Sequence, residues 1–288
     1  MGRLSVVATP IGNLQDLTPR ARLTLEEANR IFCEDTRRTL KLLSALGISN
    51  RLERFDEHAS EKQIERAISG LLSGEHIALV SDAGTPGLSD PGAKLVIAAQ
   101  RESILITPIP GPSALTSLLS VSGFSQTEFC FLGFFPRKST ERKKQLEAIM
   151  KFPLFQVFAW FESPMRITET LEFISGIQPL LRAVVGKELT KLYEKIFYGD
   201  IKSVSEQVKK EITEQGTLGE WCFAIQCEKA SAQEEKSLDW VNTLECLMNA
   251  RVSASEAARQ VSQYFGVQKK SVYEMALKIS KKKITEGG

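Results

Sequence analysis

Three short stretches combine unusual backbone freedom with a complete lack of cations. They are "ATPIGNLQDLT" (8–18), "SDAGTPGLSDPG" (81–92) and "PIPGPSAL" (108–115), and none contains Lys or Arg. Glycine lets a backbone approach a ligand closely, and proline fixes the path of a loop that has no regular structure. No GxxxxGK[ST] is present and no GxGxxG follows an apolar run, so a polyphosphate would meet only backbone donors here. Asp82 and Asp90 instead favour a ligand with a positive centre or donor groups. A sulfonium cofactor with an amino-acid tail, S-adenosylmethionine, meets those demands.

The elements that must hold these loops are legible as alternating patterns. "LSVVATP" (4–10), "RIFCE" (30–34), "RLERF" (51–55), "HIALVSDA" (76–83) and "ILITPIP" (104–110) read as strands. Between the third and fourth, Ser60 and Gln63 predict a capping box, with Ile64, Ala67, Ile68, Leu71 and Leu72 at helical spacing. Strands alternating with helices predict an α/β domain with a largely parallel sheet over 1–121. Ligands of such sheets bind beyond the carboxyl ends of the strands, where the three loops would lie. Past "SGFSQTEF" (122–129), "FCFLGFF", "LFQVFAWF" (154–161), "LRAVVGKEL" (181–189), "LYEKIFYG" (192–199) and "EWCFAIQCE" (220–228) predict a second α/β domain over 122–228. Its sheet is mixed, and the strands at 181–189 and 192–199 form a hairpin. A helical extension occupies 229–288. There Ser253 and Glu256 suggest another capping box, and Gly266 separates helices carrying Ala254, Ala257, Ala258 and Val261, then Val272, Met275, Ala276 and Ile279. A helix-turn-helix and an αα-hairpin packed on the body both fit that pattern.

Composition narrows the class. The chain has 288 residues, 42% hydrophobic and 25% charged, as in ordinary globular proteins. No apolar run approaches the ~20 residues of a membrane helix, and the apolar stretch in "MGRLSVVATP" is too short for a secretory signal. Cysteines 33, 130, 222, 227 and 246 show neither a CxxC pair nor metal-ligand spacing, which points to reduced thiols in a cytoplasmic protein. The net charge is +2, yet the segment from Ala250 onward carries +5 and the remainder −3. A basic tail on a mildly acidic body suits a nucleic-acid partner or a solvated helix.

Read together, "VVATPIGNLQDLTPRA", "EDTRRT", "SDAGTPGLSDPG", "PIPGPSAL", "FLGFFPRK", "FESPMRITETL" and "KELTKLYE" resemble the bacterial 16S ribosomal RNA cytidine 2′-O-ribose methyltransferase family, a branch of the tetrapyrrole-methylase fold. The motifs fall in order over residues 4–228. The resemblance implies two α/β domains with S-adenosylmethionine in the cleft between them. It also implies 2′-O-methylation of a ribose in the decoding centre of the small ribosomal subunit, by a homodimer. It places Thr9, Pro10, Gly12 and Asn13 in the first cofactor loop, and Ser81, Asp82, Ala83, Gly84, Thr85 and Pro86 in the second. Pro110, Gly111, Ser113 and Ala114 fall in the third. Met165 stands where the family usually has His, Gly186-Lys187 where it has a small residue and Arg, and Gly87 where it is usually aliphatic.

Transfer to a 2′-hydroxyl is an in-line displacement in which the hydroxyl must also lose its proton. Glu34 and Asp35 of "CEDTRRT", Glu162 of "FESPMR", and Lys187 with Glu188 of "GKELTKLYE" are the candidate catalytic groups. Each has a structural alternative. Asp35 could cap a helix, Ser163-Pro164 could open one with Arg166 in its first turn, and Lys187 could join an exposed salt bridge. Arg37 and Arg38 could hold phosphate or simply ride that helix. His58 falls where the family tends to carry His and could touch substrate. "PRKSTERKK" (136–144), with Arg137 and Lys138, could bind phosphates or be a solvated helix start. Two histidines and no ligand spacing argue against a metal, and no GxSxG elbow supports a hydrolase. Two other readings compete with ribosomal RNA methylation: a methyltransferase acting on a tetrapyrrole-like small molecule, and a non-enzymatic RNA-binding factor.

Overall fold

The structure is a computed structural model that describes residues 2–56, 58–87, 92–125, 128–150, 155–227, 240–249 and 252–286. Asp90 lies outside the described residues, as do the side chains of Lys281, Lys282 and Lys283.

The first sheet is built from β1 (Arg3–Val7), β2 (Arg30–Cys33), β3 (Leu52–Arg54), β4 (His76–Leu79) and β5 (Leu105–Ile109), in the order β3-β2-β4-β1-β5. Every pairing is parallel. The apolar runs of the central strands β1, β2 and β4 are buried on both faces, as parallel sheets require, while the edge strands β3 and β5 are more exposed. On one face Leu4, Phe32, Ile77 and Leu79 pack against Ala67 and Leu71 of α3 (Glu61–Leu72) and Leu95 and Ala99 of α4 (Ala93–Arg101). On the other, Val7, Ile31, Ala78 and Val80 meet Ala21 and Leu25 of α1 (Pro19–Glu27) and Leu43 of α2 (Thr36–Ala45). The capping box forms as expected: Gln63 N donates to Ser60 Oγ (3.3 Å), and Ser60 N to Gln63 Oε1 (2.9 Å). From β1 the chain crosses β4 to reach β2, and from β4 it crosses β1 to reach β5. The connections therefore diverge between β4 and β1, and a crevice opens there at the carboxyl edge.

The second sheet comprises β6 (Phe129–Phe134), β7 (Val157–Glu162), β8 (Arg182–Lys187), β9 (Lys195–Asp200) and β10 (Trp221–Gln226), ordered β6-β7-β10-β8-β9. Only β6 and β7 pair in parallel, so the sheet is mixed as predicted. One face buries Phe158, Trp160, Val185 and Phe223 under α6 (Ser139–Met150), α7 (Ile167–Ile177) and α8 (Ile201–Gln215). The opposite face carries Ala159, Val184, Cys222 and Ala224. It is covered from the first half of the chain, by Ile11 and by Leu115 and Leu118 of α5 (Ala114–Ser120). This shared apolar layer brings the two sheets together.

Several local expectations need correction. The hairpin's second strand begins at Lys195 instead of residue 192, because Leu192 and Tyr193 sit exposed in the preceding turn. The helix after β7 begins at Ile167. Residues 163–166 form a separate turn in which Arg166 N and Ile167 N both donate to the Ser163 carbonyl, so Arg166 stands at the cap position. Ser253 does cap the next-to-last helix, but Glu256 turns to Arg259 and Gln260, leaving half a capping box. That helix, α10 (Ala254–Phe265), packs with α9 (Trp240–Asn249) and α11 (Lys269–Glu286). Leu244, Leu247, Ala257, Ala258, Val261, Val272 and Ala276 form a cluster of their own, so the hairpin buries its apolar face within a three-helix unit. No helix among the described residues is long and apolar enough to cross a membrane.

Lys187 is not in an exposed salt bridge. Its ammonium is buried, 2.8 Å from Glu211 of α8 and 5.5 Å from the centre of the Trp221 ring, and Glu211 also accepts from Lys195. Burial pushes the Glu211 carboxyl up, but hydrogen bonds from Lys187 and Lys195 outweigh it and hold the group below its ordinary value. The folded state therefore gains from this carboxylate at neutral pH, and loses the gain as acidification passes below the usual 4.5 through the lower folded value. Lys187→Met, which removes one of the two cations on a buried carboxylate, should cost about 2 kcal/mol in urea denaturation, whereas Lys187→Met with Glu211→Met should recover part of that loss.

Candidate active site

The three Gly/Pro loops meet at the crevice and are tied to one another through backbone. Thr9 N donates to the Gly84 carbonyl (2.9 Å), and Gly84 N returns the bond to Thr9 (3.0 Å). Ala8 N donates to Ile109 O, and Thr85 Oγ1 reaches the Pro112 carbonyl at 3.3 Å. Gly84 has φ +79°, a conformation costly for a side-chain-bearing residue, and its Cα faces Ile11 and Pro112. Gly111 lies so close to Ala8 that a Cβ would sit 3.0 Å from the alanine methyl. Glycine is favoured at Gly84 by its positive φ and at Gly111 by the close approach of Ala8.

Beside this junction is a cavity of about 470 Å³, within the size range of small-molecule sites. The first half lines it with Ile11, Glu34, Arg38, Ser113, Ala114, Leu115 and the run from Asp82 to Thr85. Across the gap stand Phe131, Phe134, Phe161, Glu162, Ser163, Pro164, Leu189, Gly219, Glu220, Trp221 and Cys222. One end is closed by aliphatic packing, where Ile11, Leu115 and Leu189 share a core cluster. Phe134 belongs to no such cluster and is 58% exposed.

The polar groups are mutually organised. Asp82 accepts from the Asp35 backbone N–H (3.0 Å) and pairs with Arg38 at 3.3 Å. The loops themselves lack cations, yet the fold supplies one from α2, so the rim expected to be purely acidic is charge-balanced. Asp35 caps α2 by accepting from Arg37 N (2.8 Å) and grips the Arg37 guanidinium at 2.7 Å. Those bonds hold its carboxyl far below the ordinary carboxylate range. Glu162 is buried and saturated: it accepts from Ser163 N (2.6 Å) and Thr170 Oγ1 (2.8 Å) and pairs with Arg166. Arg166 also donates to the Phe135 carbonyl.

Of the residues singled out from sequence, Glu34, Arg38, Asp82, Ala83, Gly84, Thr85, Ser113, Ala114 and Glu162 line the cavity. Thr9 and Ser81 are buried behind it, Thr9 Oγ1 donating to the Ser81 carbonyl. Pro10, Pro86, Pro110 and Gly111 shape the loops without lining the space. Gly12 and Asn13 join the halves: Gly12 lies against Lys191, and Asn13 N donates to Thr190 Oγ1 (3.1 Å). Glu188 has φ +52° and binds Lys191 and the Glu220 backbone N–H, which makes it part of the same joint. Burial raises its pKa, but the hydrogen bonds from Lys191 and Glu220 and nearby cations bring the net value below the ordinary one. Asp35, Arg37, Lys187, Glu188, His58, Arg137, Lys138 and Arg166 do not line the cavity. The aromatic wall was missed by sequence reasoning. Its signal was the density of aromatics in "FCFLGFF" and "FAWF", which strand alternation alone assigns to two different faces.

Residues 3–205 of the chain match the family of Tetrapyrrole (Corrin/Porphyrin) Methylases. The chain is 40% identical over 273 residues to the ribosomal RNA small subunit methyltransferase I of Xylella fastidiosa (strain Temecula1), covering 94% of this chain and 98% of that protein. Among solved structures, a diphthine synthase superposes with a TM-score of 0.57 at 16% identity over 88% of this chain and 98% of that one. Uroporphyrin-III C-methyltransferase from Thermus thermophilus, complexed with S-adenosyl homocysteine, gives 0.50 at 14% identity over 77% and 97%.

Burial pushes the Cys222 thiol in the cavity wall up to about 12 and Cys227 to about 11, and it raises Cys33 and Cys130. A thiol reacts as thiolate, so these four should resist alkylation at pH 8. Peptide mass spectrometry after brief iodoacetamide treatment should show exposed Cys246 labelled first.

Proposed function

Because the chain belongs to the tetrapyrrole methylases, in the branch of ribosomal RNA small subunit methyltransferase I, we propose that it 2′-O-methylates a ribose of 16S ribosomal RNA. The proposed acceptor is a cytidine in the decoding centre, and the protein works as a cytoplasmic homodimer. S-adenosylmethionine is the methyl donor. The observation that carries the reading is the cation-free, cross-tied junction of three loops opening into the cavity between the two sheets.

The site fits that donor. Gly84 lines the cavity without a side chain, and Ile11, Leu115 and Leu189 offer an apolar seat. Asp82 and Arg38 present one anion and one cation, the complement of an amino-acid tail. When bound, the donor supplies an electrophilic methyl on sulfur.

Alignment is the main task of the protein, and the paired loops perform it by fixing one wall against the other. Among the carboxylates considered, Glu162 has both oxygens committed to Ser163, Thr170 and Arg166, and Asp35 is committed to its helix. Glu34 lines the cavity just beyond the carboxyl end of β2, and we assign it to accept the 2′-hydroxyl proton. Arg37, Arg137 and Lys138, all exposed near the mouth-forming elements, are proposed to meet phosphates, and His58 to contact the RNA.

Calorimetry should detect S-adenosylmethionine binding to the wild type, and Gly84→Val should weaken it about tenfold or more, because a β-branched residue is strained at φ +79° and the loop relieves that strain by moving. No binding to the wild type would leave only a non-catalytic RNA-binding role. Glu34→Gln should lower kcat by about a hundredfold or more with little change in donor affinity. Isolated small subunits from a strain lacking this gene should accept methyl at a ribose. A porphyrinoid that is methylated while subunits are not would favour the small-molecule reading.

A further inference from the structure

Resting on that reading of the cleft, we propose that Phe134 is a platform for a nucleobase of the substrate RNA, unstacked from its neighbours so that its ribose can face the methyl donor.

The first observation is a break in strand register. Along β6, Phe129, Cys130 and Phe131 pair with Val157, Phe158 and Ala159, but the next pair is Phe134 with Phe161, one residue late. Gly133, with φ +72°, lies in the bulge. Regular alternation would put Phe134 on the same face as Cys130 and Leu132, which pack into the core beneath the helices. The extra residue reverses this. Phe134 joins Phe131 and Phe161 on the cavity side, while Phe135 drops into that core at 1% exposure. A bulge that re-aims one side chain toward a cleft is a common device beside active sites.

Exposure is the second observation. Phe134 remains 58% exposed, forgoing much of the stabilisation that burial of a phenylalanine provides. It meets Phe161 in a T-shaped contact (5.9 Å, 64°) and is not stacked on that ring. Phe131 and Phe161 pack partly against the apolar layer between the sheets, whereas Phe134 does not. Its role is therefore not explained by packing.

Position supplies the ligand class. The second-sheet wall runs from Leu189 beyond β8, through Cys222 on β10 and Phe161 on β7, to Phe134 on β6. The aliphatic end is the donor's seat in the proposed function, so the aromatic end faces the acceptor. Exposed Arg137 follows three residues later, placed to meet a phosphate of the same strand. An aromatic face beside a cation is how proteins hold unpaired bases in RNA, with little demand on base identity.

The test uses the full chain, S-adenosylmethionine, and small subunits lacking the modification. Phe134→Ala should raise KM for subunits about tenfold or more while leaving the dissociation constant for S-adenosylmethionine unchanged. Phe134→Trp should restore KM, and Phe134→Leu, which keeps bulk without a π face, should not. An unchanged KM in Phe134→Ala, full rescue by leucine, or an equal loss of donor affinity would each overturn the inference while leaving ribosomal RNA methylation standing. A wild-type protein that methylates no subunit ribose would instead remove the premise.

Discussion

The molecule is organised around a junction at which the backbones of two strand-end loops bind each other directly. Thr9 and Gly84 exchange two hydrogen bonds at the divergence point between β1 and β4, and Gly111 is pressed against Ala8 beside them. A side chain would be strained at Gly84 by its φ of +79° and crowded at Gly111 by Ala8. Once both glycines are in place, three separate strand ends behave as one rigid rim. Cavity shape then follows from sheet order, because the rim sits where the crossovers diverge.

A rim makes half a site; the other half depends on how the second sheet is presented. One face of that sheet is capped by its own helices, and the other would expose Ala159, Val184, Cys222 and Ala224 if α5 and Ile11 did not cover it. Burying this apolar face sets the distance between the walls. The joint of Gly12, Asn13, Glu188, Thr190 and Lys191 then holds the closed end. Two of its non-glycine residues, Glu188 and Thr190, have positive φ, local strain sustained by the ion pairs and packing around them. At the open end the β6 bulge directs an aromatic ring outward.

Charge is arranged so that few groups stand alone. Arg38 answers Asp82, Arg166 answers Glu162, and Lys187 with Lys195 answers Glu211. The last two networks lie under the cavity walls and stiffen them, since removing one partner from a buried pair leaves an uncompensated charge. The pair of Arg38 and Asp82, half open to solvent, is the adaptable one, and it stands where a zwitterionic ligand tail is proposed to bind.

The alternation of strands and helices, the parallel first sheet, the mixed second sheet and the capping box at Ser60 were all legible from the chain, because periodicity and capping act over a few residues. The three loops could be identified from their glycines, prolines and missing cations for the same reason. What the chain could not reveal was which distant groups would answer one another. Lys187 read as the neighbour of Glu188, yet its partner lies on α8. The loops read as purely acidic until α2 delivered Arg38. Phe134 read as an ordinary strand aromatic until one extra residue in the register turned it over. Local sequence thus determined the strands, the helices and the bareness of the rim. Only the tertiary fold decided which charges were neutralised, which aromatic stayed in water and where the second wall stood, because those outcomes depend on contacts between different elements, well beyond the few residues over which periodicity and capping act, and on a register shift that local alternation does not encode.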